Sequence, residues 1–213
     1  MADVPSLPQL PPAAQRMAFA LLTTAARARL THRRAPLPQL GAPIYLTSIL
    51  RLGDANVPRL DVEDRHHRYP PSTVHVTVAN LDTATVDVDL ALDRLRSRSL
   101  PAPSLTIQGL GCSPDTLFLR CIADDRLDEL RQAVSAAFGV VRPSSWKMGL
   151  SGRLAFANVV RFDGPGQWIR TSIPATSIEC RQLEIVRTDR YLSDAGTIVL
   201  ERLPLAPAPS LDE

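Results

Sequence analysis

Residues 75–81 read His-Val-Thr-Val-Ala-Asn-Leu, and residues 153–159 read Arg-Leu-Ala-Phe-Ala-Asn-Val. The first stretch alternates as a half-buried strand does. Val76 and Val78 fall on one face, and His75 and Thr77 fall on the other. Placed against it without a gap, the second stretch repeats the Ala-Asn pair as Ala157-Asn158 and keeps Leu154, Phe156 and Val159 where the first has Val76, Val78 and Leu81. Two positions change in kind: Arg153 stands against His75, and Ala155 against Thr77. Two such strands 78 residues apart suggest a duplicated unit. A histidine and a threonine two apart on a strand have a chemical use. The imidazole moves a proton near neutral pH, and the hydroxyl hydrogen-bonds a phosphoryl oxygen. The plainer reading is that they form the polar side of a half-buried strand.

Working outward, prolines divide the chain. Pro5, Pro8, Pro11 and Pro12 make a loose lead-in. Residues 13–31, rich in Ala and Leu and free of Gly and Pro, predict a helix. Residues 44–51 predict a strand. Residues 53–71 read as a polar loop, 73–80 as the motif strand and 86–98 as a helix. Residues 104–108 predict a strand closed by Gly109 and Gly111, and 116–122 another. Asp124 and Asp125 open a helix that runs to Phe138, where carboxylates suit the dipole, with Gly139 as its stop. Strands are expected at 153–162, 177–187 and 195–203. About four helices and seven strands, mixed rather than strictly alternating, argue for an α+β fold with antiparallel sheets covered on one face. The division expected is a Pro-rich lead-in with a helix (1–43), a main domain (44–205) and a tail (206–213).

Length and composition bound the function. The 213 residues fit one large domain or one domain of two lobes. With 45% hydrophobic and 22% charged residues the chain is ordinary globular material. A net charge of +2 excludes a broadly basic nucleic-acid surface but not a small basic pocket. Only one of its 24 basic residues is a lysine, Lys147. The three cysteines, Cys112, Cys121 and Cys180, are too widely spaced for a metal pair or a disulfide framework, and read as buried free thiols. No apolar run approaches the roughly 20 residues of a membrane span. The chain is read as soluble, cytoplasmic and monomeric, without a membrane partner.

On His75-Val76-Thr77-Val78 the sequence resembles the 2H phosphoesterase superfamily, which includes the bacterial RNA 2′,3′-cyclic phosphodiesterases, also called 2′-5′ RNA ligases. Further pieces resemble the family in its order. They are Ile44-Tyr45-Leu46-Thr47, Leu105 to Gly111 ending in Gly-Leu-Gly, Thr116 to Leu119 before a helix, the second motif position at 153–156, and the closing blocks Leu183 to Arg187 and Thr197 to Leu200. The resemblance implies a bilobal α+β fold with two pseudo-symmetric antiparallel-sheet lobes, helices on the outer faces and a central cleft. It implies phosphodiester chemistry on a cyclic phosphate or a 2′-5′ linked nucleotide or RNA end, with no cofactor and no required metal.

The second His-x-Thr of that pattern is Arg153-Leu154-Ala155 here. A lost acid or base is worth roughly 10²- to 10⁴-fold in rate. Arginine stays protonated, so it holds an anion but carries no proton. The N-terminal helix also departs from the common bacterial layout. His66 or His67, just before the motif strand, is a candidate for the missing proton carrier, against the reading of a solvated loop. Arg161, eight residues after Arg153, is a candidate anion contact or a surface ion pair. Tyr45 is a candidate for base stacking or core packing, and Trp146 for a nucleotide contact or a rim. Gly109-Leu110-Gly111 lacks the further residues of a nucleotide loop. Two functions compete: a divergent phosphodiesterase with His75 as acid/base, Thr77 as phosphoryl ligand and Arg153 as clamp, or an inactive phosphate-ligand module built on Arg153 and Thr77.

Overall fold

The structure, a computed structural model, describes residues 10–27, 45–53, 57–140, 154–169, 171–189, 191–193 and 195–207. Its elements in chain order are α1 (Pro12–Arg27), β1 (Tyr45–Arg51), β2 (His67–Arg68), β3 (His75–Asn80), α2 (Val88–Arg96), β4 (Ser104–Ser113), β5 (Thr116–Ala123), α3 (Arg126–Ala137), β6 (Ala155–Arg161), β7 (Thr176–Glu179), β8 (Gln182–Thr188) and β9 (Ile198–Pro204). A 3₁₀ turn at Pro71–Thr73 leads into β3. The fold is α+β, as expected.

All strand pairs are antiparallel and run in the order β7-β4-β5-β6-β3-β1-β8-β9, with β2 added on β6. The path is thinnest in the middle. β3 and β6 share one pair, Val76 with Ala157, and four strands of the path lie on either side of it. The two strands of the sequence echo therefore meet at the waist of the sheet.

Alternation along β5 sorts the two faces. Leu119 and Cys121 join the main core with Val76, Ala155, Ala157 and the helix residues Leu92, Leu95, Leu127, Leu130 and Val134. Phe118 and Ile122 point the other way, into a second cluster with Phe19, Ala18 and Leu154. So α2 and α3 cover one face, and α1 packs on the opposite face over β4 and β5. The α1 stripe is helical: Gln15, Ala18, Phe19, Thr23 and Ala26 are its buried residues. Gln15 fastens it. Its side-chain Nε2 donates to the Ala123 carbonyl at 2.8 Å and the Leu10 carbonyl at 2.6 Å, while its Oε1 accepts from the Ala123 amide at 3.0 Å. A glutamine thus completes the end of β5 as a partner strand would. α2 is capped by Asp87, which accepts from the amides of Asp89 and Leu90.

The structure corrects several sequence expectations. The first helix is described over Pro12–Arg27, and the remainder of the 13–31 expectation falls in residues 28–44, which lie outside the described residues. The loop at 53–71 contains β2, because His67 and Arg68 find partners in Arg161 and Val160. The strand expected to close at Gly109 continues to Ser113, since the ladder slips between Ile107 and Leu110 and resumes. Gly109 takes φ of 88° there, a left-handed conformation that glycine tolerates inside a bulge. The strand expected at 177–187 is two strands broken at Cys180-Arg181. Among the described residues the count is three helices and nine strands.

Candidate functional site

His75 opens β3 on the face opposite Val76, and a local turn fixes its ring. Two prolines, Pro70 and Pro71, set the backbone of the 3₁₀ turn. The turn presents two carbonyls. That of Thr73 lies 2.7 Å from Nδ1 of His75. That of Ser72 accepts from Nη1 of Arg51 at 2.5 Å. A carbonyl only accepts, so Nδ1 carries the proton, and the neutral ring keeps its lone pair on Nε2. Burial pushes the pKa of His75 down, with the Arg51 charge adding to the fall. The Thr73 bond and Glu184 pull it back up. The ring is therefore a neutral base at pH 7.

Around it the sheet assembles an ion network. Arg51 pairs with His75 across β1 and β3. Glu184, 5% exposed, accepts from Nε of Arg51 at 2.8 Å and from Nε of Arg202 at 3.1 Å. Two guanidinium groups hold one buried carboxylate, which keeps its charge compensated. Thr77 is exposed on the His75 face, across from Ile49.

The other half of the waist differs. The ungapped echo sets Thr77 against Ala155 and Val78 against Phe156. In the structure Ala155 is 0% exposed and belongs to the main core, while Phe156 is 36% exposed. The two strands are one residue out of phase in the faces they show, so the echo does not match side chain to side chain. Side chains that share a face with His75 and Thr77 are Leu154, Phe156 and Asn158, because Ala157 lies with Val76 in the core. Neither an imidazole nor a hydroxyl is among them. Leu154 packs under α1 with Phe19 and Phe118. Arg153 and Trp146 lie outside the described residues.

The remaining candidates separate. His66 is buried against Phe162, with ring centroids 5.0 Å apart, and its Nδ1 accepts from the Asp163 amide at 3.1 Å. It holds the loop before β2, and burial lowers its pKa. The sequence reading of a solvated loop is therefore corrected at His66, which is buried. His67 lies between Tyr69 and Tyr191, with centroids at 4.9 and 4.5 Å. Its buried Nε2 has no hydrogen-bond partner among the described residues, and burial again lowers its pKa. Arg161 is held by Asp115 at 3.2 Å and hydrogen-bonds the Tyr69 hydroxyl. Tyr45 starts β1 opposite Thr188, whereas the His75 partner Arg51 ends it. Six positions along a strand place Tyr45 about 20 Å from that end.

Sequence reasoning missed Arg51 and Glu184, which act on His75 from β1 and β8, and Arg202 of β9, which bonds Glu184. The Pro-Pro-Ser-Thr run before the motif was the one available signal. It also missed Asn158, which bonds the Tyr69 hydroxyl. It missed Arg120, half-buried beside Phe156, whose Nε has no partner among the described residues. The three thiols are buried, and burial raises Cys112 to about 11 and Cys180 to about 12. They are inert packing groups at neutral pH. Among the described residues no three His, Cys, Asp or Glu side chains gather in a way that could hold a metal ion. None of the described helices is long and apolar enough to cross a membrane.

The fold is shared with solved structures. TT0787 of Thermus thermophilus superposes with a TM-score of 0.55 at 16% identity, covering 78% of this chain and 100% of that one. E. coli LigT complexed with NADP+ gives 0.53 at 14% identity, covering 78% and 99%. A protein described as a phosphoesterase gives 0.51 at 14% identity, covering 76% and 98%. The likeness spans the whole of those chains and is one of fold. No family model matches this chain, and no curated protein matches it.

Proposed function

We propose that this protein is a phosphodiesterase acting on a 2′,3′-cyclic phosphate or a 2′-5′ linked nucleotide or RNA end, with His75 as its proton carrier. The observation that supports the reading most is the fixed tautomer. Nδ1 donates to the Thr73 carbonyl at 2.7 Å, so the lone pair of Nε2 is left for the reaction. Nε2 takes the proton of the attacking water as its oxygen bonds phosphorus, and the bond from phosphorus to the ribose oxygen breaks, that oxygen taking up a proton from solvent water as it leaves. Thr77, two residues on and facing the same way, donates to a phosphoryl oxygen and strengthens that bond as charge develops. Arg51, anchored by Glu184, keeps positive charge beside the reacting phosphate. The fold adds support, since LigT, which shares it, has been solved with ATP and with phosphate.

The test is turnover of a panel of 2′,3′-cyclic nucleotides and 2′-5′ linked dinucleotides. His75→Ala is expected to lose roughly 10²- to 10⁴-fold in kcat/KM with its fold intact. An equal rate in His75→Ala, or no turnover by the unaltered chain, would overturn the reading. The second reading is a phosphate-ligand module without turnover. It is supported by the apolar residues Leu154 and Phe156 on the β6 side, where no second titratable group among the described residues of that strand faces His75. It predicts saturable binding of 3′-phosphorylated nucleotides with no hydrolysis.

A further inference from the structure

The open face of β6 borders a cavity of about 340 Å³, walled on one side by α1. Its size lies at the low end of small-ligand pockets, roughly 300–1,000 Å³. Phe19, Leu22 and Ala25 come from the helix, and Leu154, Phe156 and Phe118 from the sheet. The three phenylalanines form a tilted series, with centroids 6.1 Å apart for Phe19 and Phe118 and 5.1 Å for Phe118 and Phe156. One end is polar. There Asn158, Arg161, Ser113 and Thr116 reach the wall.

That polar end carries no spare charge. Arg161 is paired with Asp115 at 3.2 Å, and Asp115 also accepts from the Ser113 hydroxyl at 2.7 Å. An anion placed there would have to displace an existing carboxylate. A neutral group with a hydrogen-bonding edge would not, because the Asn158 amide has more donors and acceptors than its bond to Tyr69 uses. Asn158 also locates the cavity. It follows Ala157, whose partner is Val76, so it is the position facing His75 across the waist. Asn158 and Arg161, an odd number of residues apart, share one wall because the ladder of β5 and β6 slips between them.

We propose that this cavity binds an uncharged planar or apolar substituent of the phosphodiester substrate, and that α1 is the specificity wall. The inference rests on the phosphodiesterase reading, and it narrows the substrate to a small molecule with one aromatic or apolar group beside the phosphate. A strand whose next group is a second phosphate does not fit the apolar wall. Ala25 is exposed at the mouth, so Ala25→Trp fills the cavity without disturbing the core.

Two measurements decide it. The first titrates the neutral fluorophore N-phenyl-1-naphthylamine. The expected result is saturable binding at one site, weakened at least about tenfold by Ala25→Trp and unchanged by His75→Ala, with melting curves confirming that both variants fold. Binding that does not saturate, or that Ala25→Trp leaves alone, overturns the proposal. The second compares kcat/KM for an aryl and a methyl ester of the same phosphodiester. A preference for the aryl ester of about tenfold or more is expected, collapsing in Ala25→Trp. An equal preference in both proteins overturns the specificity role. Fluorophore binding of the expected kind with no turnover of either ester removes the phosphodiesterase reading and leaves the cavity as an apolar-ligand site.

Discussion

The β3 side and the β6 side of the waist share a strand type and an Ala-Asn pair, yet they are built for different contents. On the β3 side a proline-set turn aims carbonyls at a histidine and an arginine, and a buried glutamate ties two guanidinium groups beside them. On the β6 side the same face carries leucine and phenylalanine under a helix. One half gathers charged and titratable side chains. The other is mostly apolar. Two strands of similar pattern can thus diverge by a change in which alternate residues face the core.

The largest contrast to break is the ion network. Glu184→Gln is expected to cost about 2–3 kcal/mol in urea unfolding. This is less than a fully buried pair would cost, since Arg51 and Arg202 keep access to water. Glu184 raises the pKa of His75, so its removal moves the acid limb of the pH–rate profile to lower pH. A limb that stays in place would separate Glu184 from the site. On the other half, Gln15→Ala is expected to cost about 2 kcal/mol, because it leaves the Ala123 amide and carbonyl without partners. It should also weaken fluorophore binding while sparing His75. A variant as stable as the parent would show that α1 is not fastened there.

Acid tests the histidines that serve structure. The folded pKa of His66 lies below its unfolded value of about 6.5. The unfolded chain therefore takes up the proton first as pH falls. The stability contribution is complete above about pH 6.5 and is lost below it, at up to about 1.4 kcal/mol per pH unit until the folded ring titrates. Urea midpoints at pH 7.5 and 5.5 should show the loss. His66→Gln, whose amide oxygen can still accept from the Asp163 amide, should show less of it.

Much of this was legible in the sequence. Alternation around Val76 and Val78 placed His75 and Thr77 together on one face, and the mixed order of elements gave the α+β class. The phase of β6 was not legible. A strand with Ala155, Ala157, Leu154 and Phe156 is apolar on both faces, so periodicity could not tell which set faced the core. The bulges at Gly109 and Val159 were hidden too, because a one-residue slip leaves no mark on local composition. Arg51, Glu184 and Arg202 lie far apart in the chain and meet only through register. The loop containing His66 looked solvated because its polarity is spent on internal partners such as the Asp163 amide.

The most direct measurement is the pH dependence of kcat/KM on a 2′,3′-cyclic nucleotide. With one titrating proton carrier, the rate should rise through a single ionisation below the usual histidine value of about 6.5 and then stay level into the alkaline range. The rise should vanish in His75→Ala. A bell whose descending limb disappears in His67→Phe would show a second histidine at work and contradict His75 as the one titrating proton carrier.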